Sequence, residues 1–254
     1  MYLDNMTRVL VKIGSSSLVD TDTNGLFLER MHSIADDILW LSRECNKEVI
    51  LMSSGALAWG RICMSLVNTP KECMDNQQVS GACGQIGIAA GWAEAFQKKE
   101  AAIGQLLLVP DQVSSVTVKN TILHMFEYGM VPYINENIPV MGEYDNDGLA
   151  ALVAGDLNCD MLILLSDVDG VYSDNPATNP DAALIPEIND IDEAIIKFGG
   201  NAASGIGTGG MLTKLKAAKA MALVGVDTII ASGQIQNPLR TLCKGGNYTR
   251  VRAK

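Results

Sequence analysis

Short apolar runs that stop at small polar residues alternate along this chain with stretches whose apolar positions recur every three or four residues. Arg8 to Ile13, RVLVKI, ends at Gly14 and the serines Ser15 to Ser17; Lys47 to Met52 runs through VILM into Ser53, Ser54 and Gly55. Ala101 to Val109 carries Gln105 inside an apolar run, and Val131 to Asn137, VPYINEN, ends in amides and an acid. Asp160 to Tyr172, in which MLILL feeds Ser166, Asp167, Val168, Asp169 and Gly170, reads as the most buried strand, and Asp227 to Ala231 as the last clear one. Continuous runs of this kind predict strands covered on both faces.

The periodic stretches predict helices. One spans about Leu26 to Arg43 on Leu28, Met31, Ala35, Ile38 and Leu39; Gln77 to Gln97 is rich in Ala and Gly; Val113 to Tyr128 follows. Asp145, Asn146 and Asp147 open another, with Leu149, Leu152 and Val153 on its apolar side, and a last one carries Met211, Lys214, Leu215, Ala218 and Leu223. Acids in a first helical turn are also ordinary caps. Asn175 to Asn189, with three of the eight prolines, reads as a loop-rich excursion over one sheet edge. The β, α, β, α order predicts an α/β fold with a mostly parallel sheet and helices on both faces.

Just ahead of the last helix, Ser204 to Lys214, SGIGTGGMLTK, crowds Gly205, Gly207, Gly209 and Gly210 into six residues. Glycines let backbone N–H groups approach an anion, and a helix N-terminus adds its positive end. Thr208 is the expected helix cap, and Lys214, one turn in, the expected point charge on an outer phosphate. Two phosphate templates fail. G-x-G-x-x-G is spelled by Gly205, Gly207 and Gly210, but IIKFGGNAAS before it is no buried strand; Met211 breaks the G-x-x-x-x-G-K-[ST] pattern. A phosphate loop of a third type remains, against the alternative of a flexible surface loop.

The net charge is −10 without a block of like charge, which argues against nucleic acid. Lysines that receive an anionic ligand must then be few and local, which singles out Lys12, near the mouth of its strand, and Lys214. An edge-strand lysine facing water is the alternative for Lys12, and an exposed lysine contributes little to stability. No run approaches a membrane span, and MYLDNMTRVLVKIG, with an early acid and Lys12, is no signal peptide. Six cysteines without a C-x-x-C pair, and two histidines in all, form no zinc spacing and fit reduced thiols in a cytoplasmic protein. Asp145/Asp147 and Asp167/Asp169 lack the spacing of a calcium loop. Serines at the strand mouths lack G-x-S-x-G and a placed histidine, so they read as hydrogen-bonding groups.

These mouths together resemble the amino acid kinase family, through VKIGSS at Val11 to Ser16, SSGA at Ser53 to Ala56, IGQLLL at Ile103 to Leu108 and INEN at Ile134 to Asn137. DNDGLAALVA at Asp145 to Ala154, LLSDVDGVY at Leu164 to Tyr172 and GTGGMLTKLKAA at Gly207 to Ala218 complete seven matches in family order. The resemblance covers nearly the whole chain. It implies a three-layer αβα sandwich over residues 1–254 as one domain, with the acceptor side in the N-terminal part and the nucleotide side from about residue 160. Within the family it points to the branch that phosphorylates the γ-carboxylate of L-glutamate with ATP and Mg²⁺, opening proline synthesis.

Carried over by motif, Lys12 and Lys214 stabilise the transferring phosphoryl group and Asp147 orients them. Lys12, Ser166, Asp167, Thr208, Gly209, Gly210, Met211, Leu212, Thr213 and Lys214 hold ATP, while Ser54, Gly55, Asn135, Asp145 and Asn146 hold the acid. Mg²⁺ comes with the nucleotide rather than in a protein cage. A homo-oligomer, dimer or tetramer, is implied, with no nucleic-acid or membrane partner. Many members carry a C-terminal PUA domain, and this sequence ends at Lys254 without one. Tyr144 stands where a glycine is frequent, and Ile138 where the family has an acid that meets the substrate's amino group, which leaves Glu136 and Glu143 as candidates for that role. The rival readings are a family kinase for another carboxylate, carbamate or phosphate acceptor, and a non-catalytic nucleotide sensor.

Overall fold

Continuous apolar runs become central strands here because neither face of the sheet meets water. The computed structural model describes residues 5–65, 77–142, 144–176, 178–193, 195–196 and 210–254. Its strands are β1 (Arg8–Ile13), β2 (Val19–Asp20), β3 (Gly25–Leu26), β4 (Glu48–Ser53), β5 (Ile103–Leu108), β6 (Val131–Glu136), β7 (Met161–Ser166), β8 (Glu187–Ile188), β9 (Asp227–Ser232) and β10 (Thr249–Val251). Eight of them form one sheet in the order β5-β6-β4-β1-β7-β9-β10-β8, and β2 and β3 pair separately. Pairings from β5 through β9 are all parallel; β10 runs antiparallel to β9 and closes that edge with β8.

Alternating residues of each strand enter different cores. Leu10, Met52, Ile134, Leu164 and Ile230 pack with Leu149 and Val153 of α7 (Asn146–Asp156) and with Leu215 and Ala218 of α8 (Met211–Leu223). Val9, Val11, Ile13, Leu51, Ile163 and Ile229 pack with Ile34 and Ile38 of α1 (Leu28–Arg43) and with Ile88 and Trp92 of α3 (Gln77–Gln97). Helices cover both faces, giving the three-layer αβα sandwich. The remaining helices are α2 (Ala56–Cys63), α4 (Pro110–Val113), α5 (Val116–Glu127), α6 (Ile138–Met141) and α9 (Pro238–Cys243).

Several expected elements shift. Leu26 belongs to the β2–β3 hairpin, so α1 begins at Leu28. The helix expected over Val113 to Tyr128 divides, because Ser115 is extended between α4 and α5. Leu152 and Leu223 lie outside the buried faces, at 45% and 65% exposure. On α7 and α8 the small residues Ala150, Ala151, Ala154, Ala217 and Ala218 carry the packing instead. Asp227 to Ser232 is not the last strand, since β10 follows it. The proline-rich stretch itself supplies β8, the edge strand of the sheet, and Ile185 N–H within it bonds Val171 O.

Chain order reverses across β1. After β4, β5 and β6 build out on one side, the chain returns to lay β7 on the other, the arrangement whose C-terminal crevice receives ligands in open α/β sheets. Lys12, one residue from the end of β1, therefore sits on a central strand, paired with Met52 and Leu164. It is not an edge lysine facing water.

Candidate active site

Lys12 interrupts the apolar face of β1 that packs beneath α7. At 2% exposure its ammonium group must have a partner, and it ion-pairs with Asp147 Oδ1. Lys214, in the first turn of α8 and 3% exposed, reaches Asp147 Oδ2 at 3.2 Å. Thr213 Oγ1 lies 2.7 Å from that same oxygen and 2.8 Å from Gly210 O, so its single proton ties the start of α8 to the carboxylate or to the glycine end. Asp147 stands in the first turn of α7, whose N-cap is Asp145: Asp145 Oδ1 accepts from Asp147 N at 3.1 Å. The cap and the functional reading of these two acids are thus compatible, one residue doing each job.

Burial alone would push the Asp147 carboxyl up, but the charges of Lys12 and Lys214, with hydrogen bonds from Lys12 and Thr213, overcome it and hold the group below the ordinary carboxylate range. Burial pulls Lys12 below the usual 10.5; Asp147 opposes this and the Lys214 charge adds to it. Asp147 thus gathers two cations inside the crevice of an acidic protein, with the Asp145 charge also acting on Lys12.

A second cluster lies on the β4–β6 side of β1. Gly55, at φ +102°, turns the chain from β4 into α2 in a conformation that favours glycine, and Ser54 N bonds Ile13 O at 3.0 Å, fixing that mouth against β1. Asn146 Nδ2 lies 3.0 Å from Ser53 O, 2.9 Å from Ser54 Oγ and 3.1 Å from Asn135 Oδ1. Ser54, Asn135 and Asn146 thus come together as expected. Ser53, read from the sequence as a hydrogen-bonding serine at this mouth, joins them, and so do Tyr133 and Gln85, which were not anticipated: the Ser53 and Tyr133 hydroxyls are 3.0 Å apart, and Asn135 Nδ2 donates to Gln85 Oε1 at 3.0 Å. Burial pushes the Tyr133 hydroxyl up to about 12 against the pull of Ser53, Gln85 and Asn135. The available signal for Gln85 was a glutamine among Gly84, Ile88 and Trp92 on a helix face otherwise apolar or small.

On the other side, Ser166 ends β7 and bonds Asp167 Oδ1 through its hydroxyl at 2.9 Å, while Gly233 N donates to Ser166 O at 2.7 Å. The N-cap of α8 is Gly210, not Thr208. Thr208 and Gly209 lie outside the described residues, as does Glu143; Met211 is buried, and Leu212 and Thr213 are partly exposed. Ile138 begins α6 and is buried against Gly81, where an added Cβ would lie 2.5 Å from Ile138 Cγ2. Glu136 accepts from Tyr144 N at 2.9 Å. The five cysteines among the described residues are unbridged, and no described helix is long and apolar enough to cross a membrane.

The chain is similar to the glutamate 5-kinase of Nitrobacter hamburgensis, at 37% identity over 98% of this chain and 67% of that protein. It is also similar to the glutamate 5-kinase of Roseobacter denitrificans, at 39% over 96% and 67%. It spans about two thirds of the length of these relatives. Its fold is similar to that of UMP kinase from Ureaplasma parvum (TM-score 0.70, 17% identity, 98% of this chain and 99% of that one). Carbamate kinase from Giardia lamblia bound to AMP-PNP is comparable (TM-score 0.67, 17%, 99% and 100%). The model of the amino acid kinase family matches residues 7–232, and the chain belongs to that family.

Proposed function

We propose that this protein transfers the γ-phosphoryl group of ATP to the γ-carboxylate of L-glutamate, giving γ-glutamyl phosphate and ADP at the start of proline synthesis. The observation that carries the reading is the joint hold of Asp147 on Lys12 and Lys214 at the reversal point of the sheet, between two polar clusters. An acceptor carboxylate is already ionised at neutral pH, so the absence of a histidine in these clusters is no handicap. Repulsion between two anions is the obstacle, and buried, pre-placed cations reduce it as charge shifts during in-line transfer. Lys12 and Lys214 serve this role; Asp147 keeps both in place and is a positioning group.

The β4–β6 cluster, with Ser54, Gly55, Asn135, Asp145 and Asn146, takes the amino acid. Ser166, Asp167 and the Gly210 to Lys214 turn take the nucleotide, on the side from about residue 160 onward. Mg²⁺ is taken to enter as an ion carried on the ATP phosphates. When bound there it supplies further charge neutralisation. We place the protein in the cytoplasm as one kinase domain in a homo-oligomer, dimer or tetramer; light scattering at the 27.1 kDa chain mass would exclude the oligomer.

The functional test measures ADP release across a panel of acids with hydroxylamine present, which traps an acyl phosphate as its hydroxamate. L-Glutamate giving γ-glutamyl hydroxamate is the expected result. Ile138 favours one second reading, an acceptor acid without a free amine, and glutarate outpacing glutamate in that panel would establish it.

A further inference from the structure

Backbone groups have fixed polarity, and two of them orient the amides of the β4–β6 cluster. Glu136 N–H can only donate, so the oxygen it meets at 2.9 Å is Asn135 Oδ1; the Asn135 nitrogen then turns to Gln85 Oε1. Ser53 C=O can only accept, so Asn146 turns its nitrogen there and toward Asn135 Oδ1. Among the described residues Asn146 Oδ1 is left enclosed with no hydrogen-bond partner, as is Gln85 Nε2. Gln85, at 6% exposure, is contributed to this relay by α3. That helix is held close: an added Cβ on Gly84 would overlap the Ala56 carbonyl of α2, and Gly81 abuts Ile138. An apolar residue would serve the packing of α3 better than an amide that must be desolvated, which marks Gln85 as kept for its hydrogen bond.

We propose that Gln85 is a positioning residue of the acceptor site. By accepting from Asn135 Nδ2 it anchors in place the Asn135–Asn146 pair, whose polarity Glu136 N–H and Ser53 C=O set, so that Asn146 Oδ1 meets a donor on the substrate, the ammonium group of an α-amino acid. Ile138, apolar and packed on Gly81, cannot accept that hydrogen bond. The inference rests on the reading of Ser54, Asn135 and Asn146 as the amino-acid subsite.

Steady-state kinetics of the whole chain test it with L-glutamate, glutarate and ATP. Gln85→Met, nearly isosteric but without the accepting oxygen, raises KM for glutamate about tenfold and leaves kcat, KM for ATP and KM for glutarate within about twofold. Gln85→Glu, which keeps an acceptor for Asn135, restores most of the glutamate KM. Equal effects on glutarate and glutamate, an equal effect on ATP, or failure of Gln85→Glu to restore would each overturn the proposal. Should Gln85→Met show no cooperative thermal transition, Gln85→Asn, polar but one methylene too short, replaces it with the same expected split. A wild type without glutamate activity would overturn the functional reading and this inference together, whereas an active wild type indifferent to these variants would overturn the inference alone.

Discussion

Lys12 and Lys214, from the first and last thirds of the chain, hold opposite oxygens of one buried carboxylate, Asp147. Removing either lysine leaves Asp147 one counter-ion, whereas removing the carboxylate leaves two buried ammonium groups facing each other. Lys12→Met and Lys214→Met are each expected to lower kcat by roughly 10²- to 10³-fold, the scale of losing one transition-state donor. Each also costs stability, about 1–3 kcal/mol, because these lysines are buried and not the exposed side chains that the sequence alone suggested. Asp147→Asn is expected to be the least stable of the three and to gain the most in Tm from ATP, whose phosphates replace the lost anion. A folded Lys214→Met protein with wild-type kcat would exclude the assignment.

The pH dependence follows from the same three groups. Lys12 must be charged to act, and burial sets its pKa below 10.5, so activity is lost as pH rises through a value under that figure. Asp147 is held below the carboxylate range and stays ionised in mild acid, so the acid limb belongs to the substrate carboxylate, near about 4.3. The depressed Asp147 pKa contributes stability that is fully present above the ordinary 3.8 and lost as pH falls below it. An alkaline limb of kcat/KM at or above 10.5 would contradict the buried setting of Lys12.

Glycines bring α2 and α3 into backbone contact. A Cβ on Gly60 would overlap the Ser80 carbonyl, and one on Gly84 the Ala56 carbonyl, both unyielding backbone atoms. Gly60→Ala and Gly84→Ala are expected to destabilise by about 3 kcal/mol or more, at the upper end of overpacking. Gly225→Ala offers a contrasting control: its space is open, but φ is +82°, so its cost is conformational strain on the order of 1 kcal/mol. Chemical denaturation ranks the three, and a Gly60→Ala protein as stable as Gly225→Ala would contradict the contact.

The central strands and both lysines were legible because they break simple patterns: apolar runs that stop at serines, and cations in an acidic chain. Geometry across the sheet was not. That Lys12 lies between β4 and β7 depends on chain reversal, which no local pattern encodes. β8 and β10 are only two and three residues long, too short for periodicity to register. Leu152 and Leu223 misled because alanines, silent in a hydrophobic count, make the close α7 and α8 contacts. Gln85 escaped notice because the hydrogen bond that gives it meaning joins it to a strand fifty residues away.

Ile138 provides the sharpest test of how the substrate's amino group is held. Its side chain is buried at the start of α6 and touches Gly81, so the position is a packing contact, and Glu136 already accepts from Tyr144 N–H. The neutral amide oxygen of Asn146, without a partner among the described residues, is then the acceptor assigned to the ammonium ion. An ionised acceptor is roughly twice as strong as a neutral one, so Ile138→Asp is expected to lower KM for L-glutamate by about tenfold. KM for glutarate, which has no ammonium group, stays unchanged. The same substitution buries a carboxylate where a hydrocarbon packed, so the ligand-free Tm falls, and L-glutamate recovers more of that loss than glutarate does. Ile138→Asn, uncharged and of similar size to aspartate, should show the Tm loss without the gain in glutamate affinity. If Ile138→Asp changes the glutamate and glutarate constants in parallel, position 138 lies away from the amino group and the acceptor must be sought elsewhere in the crevice.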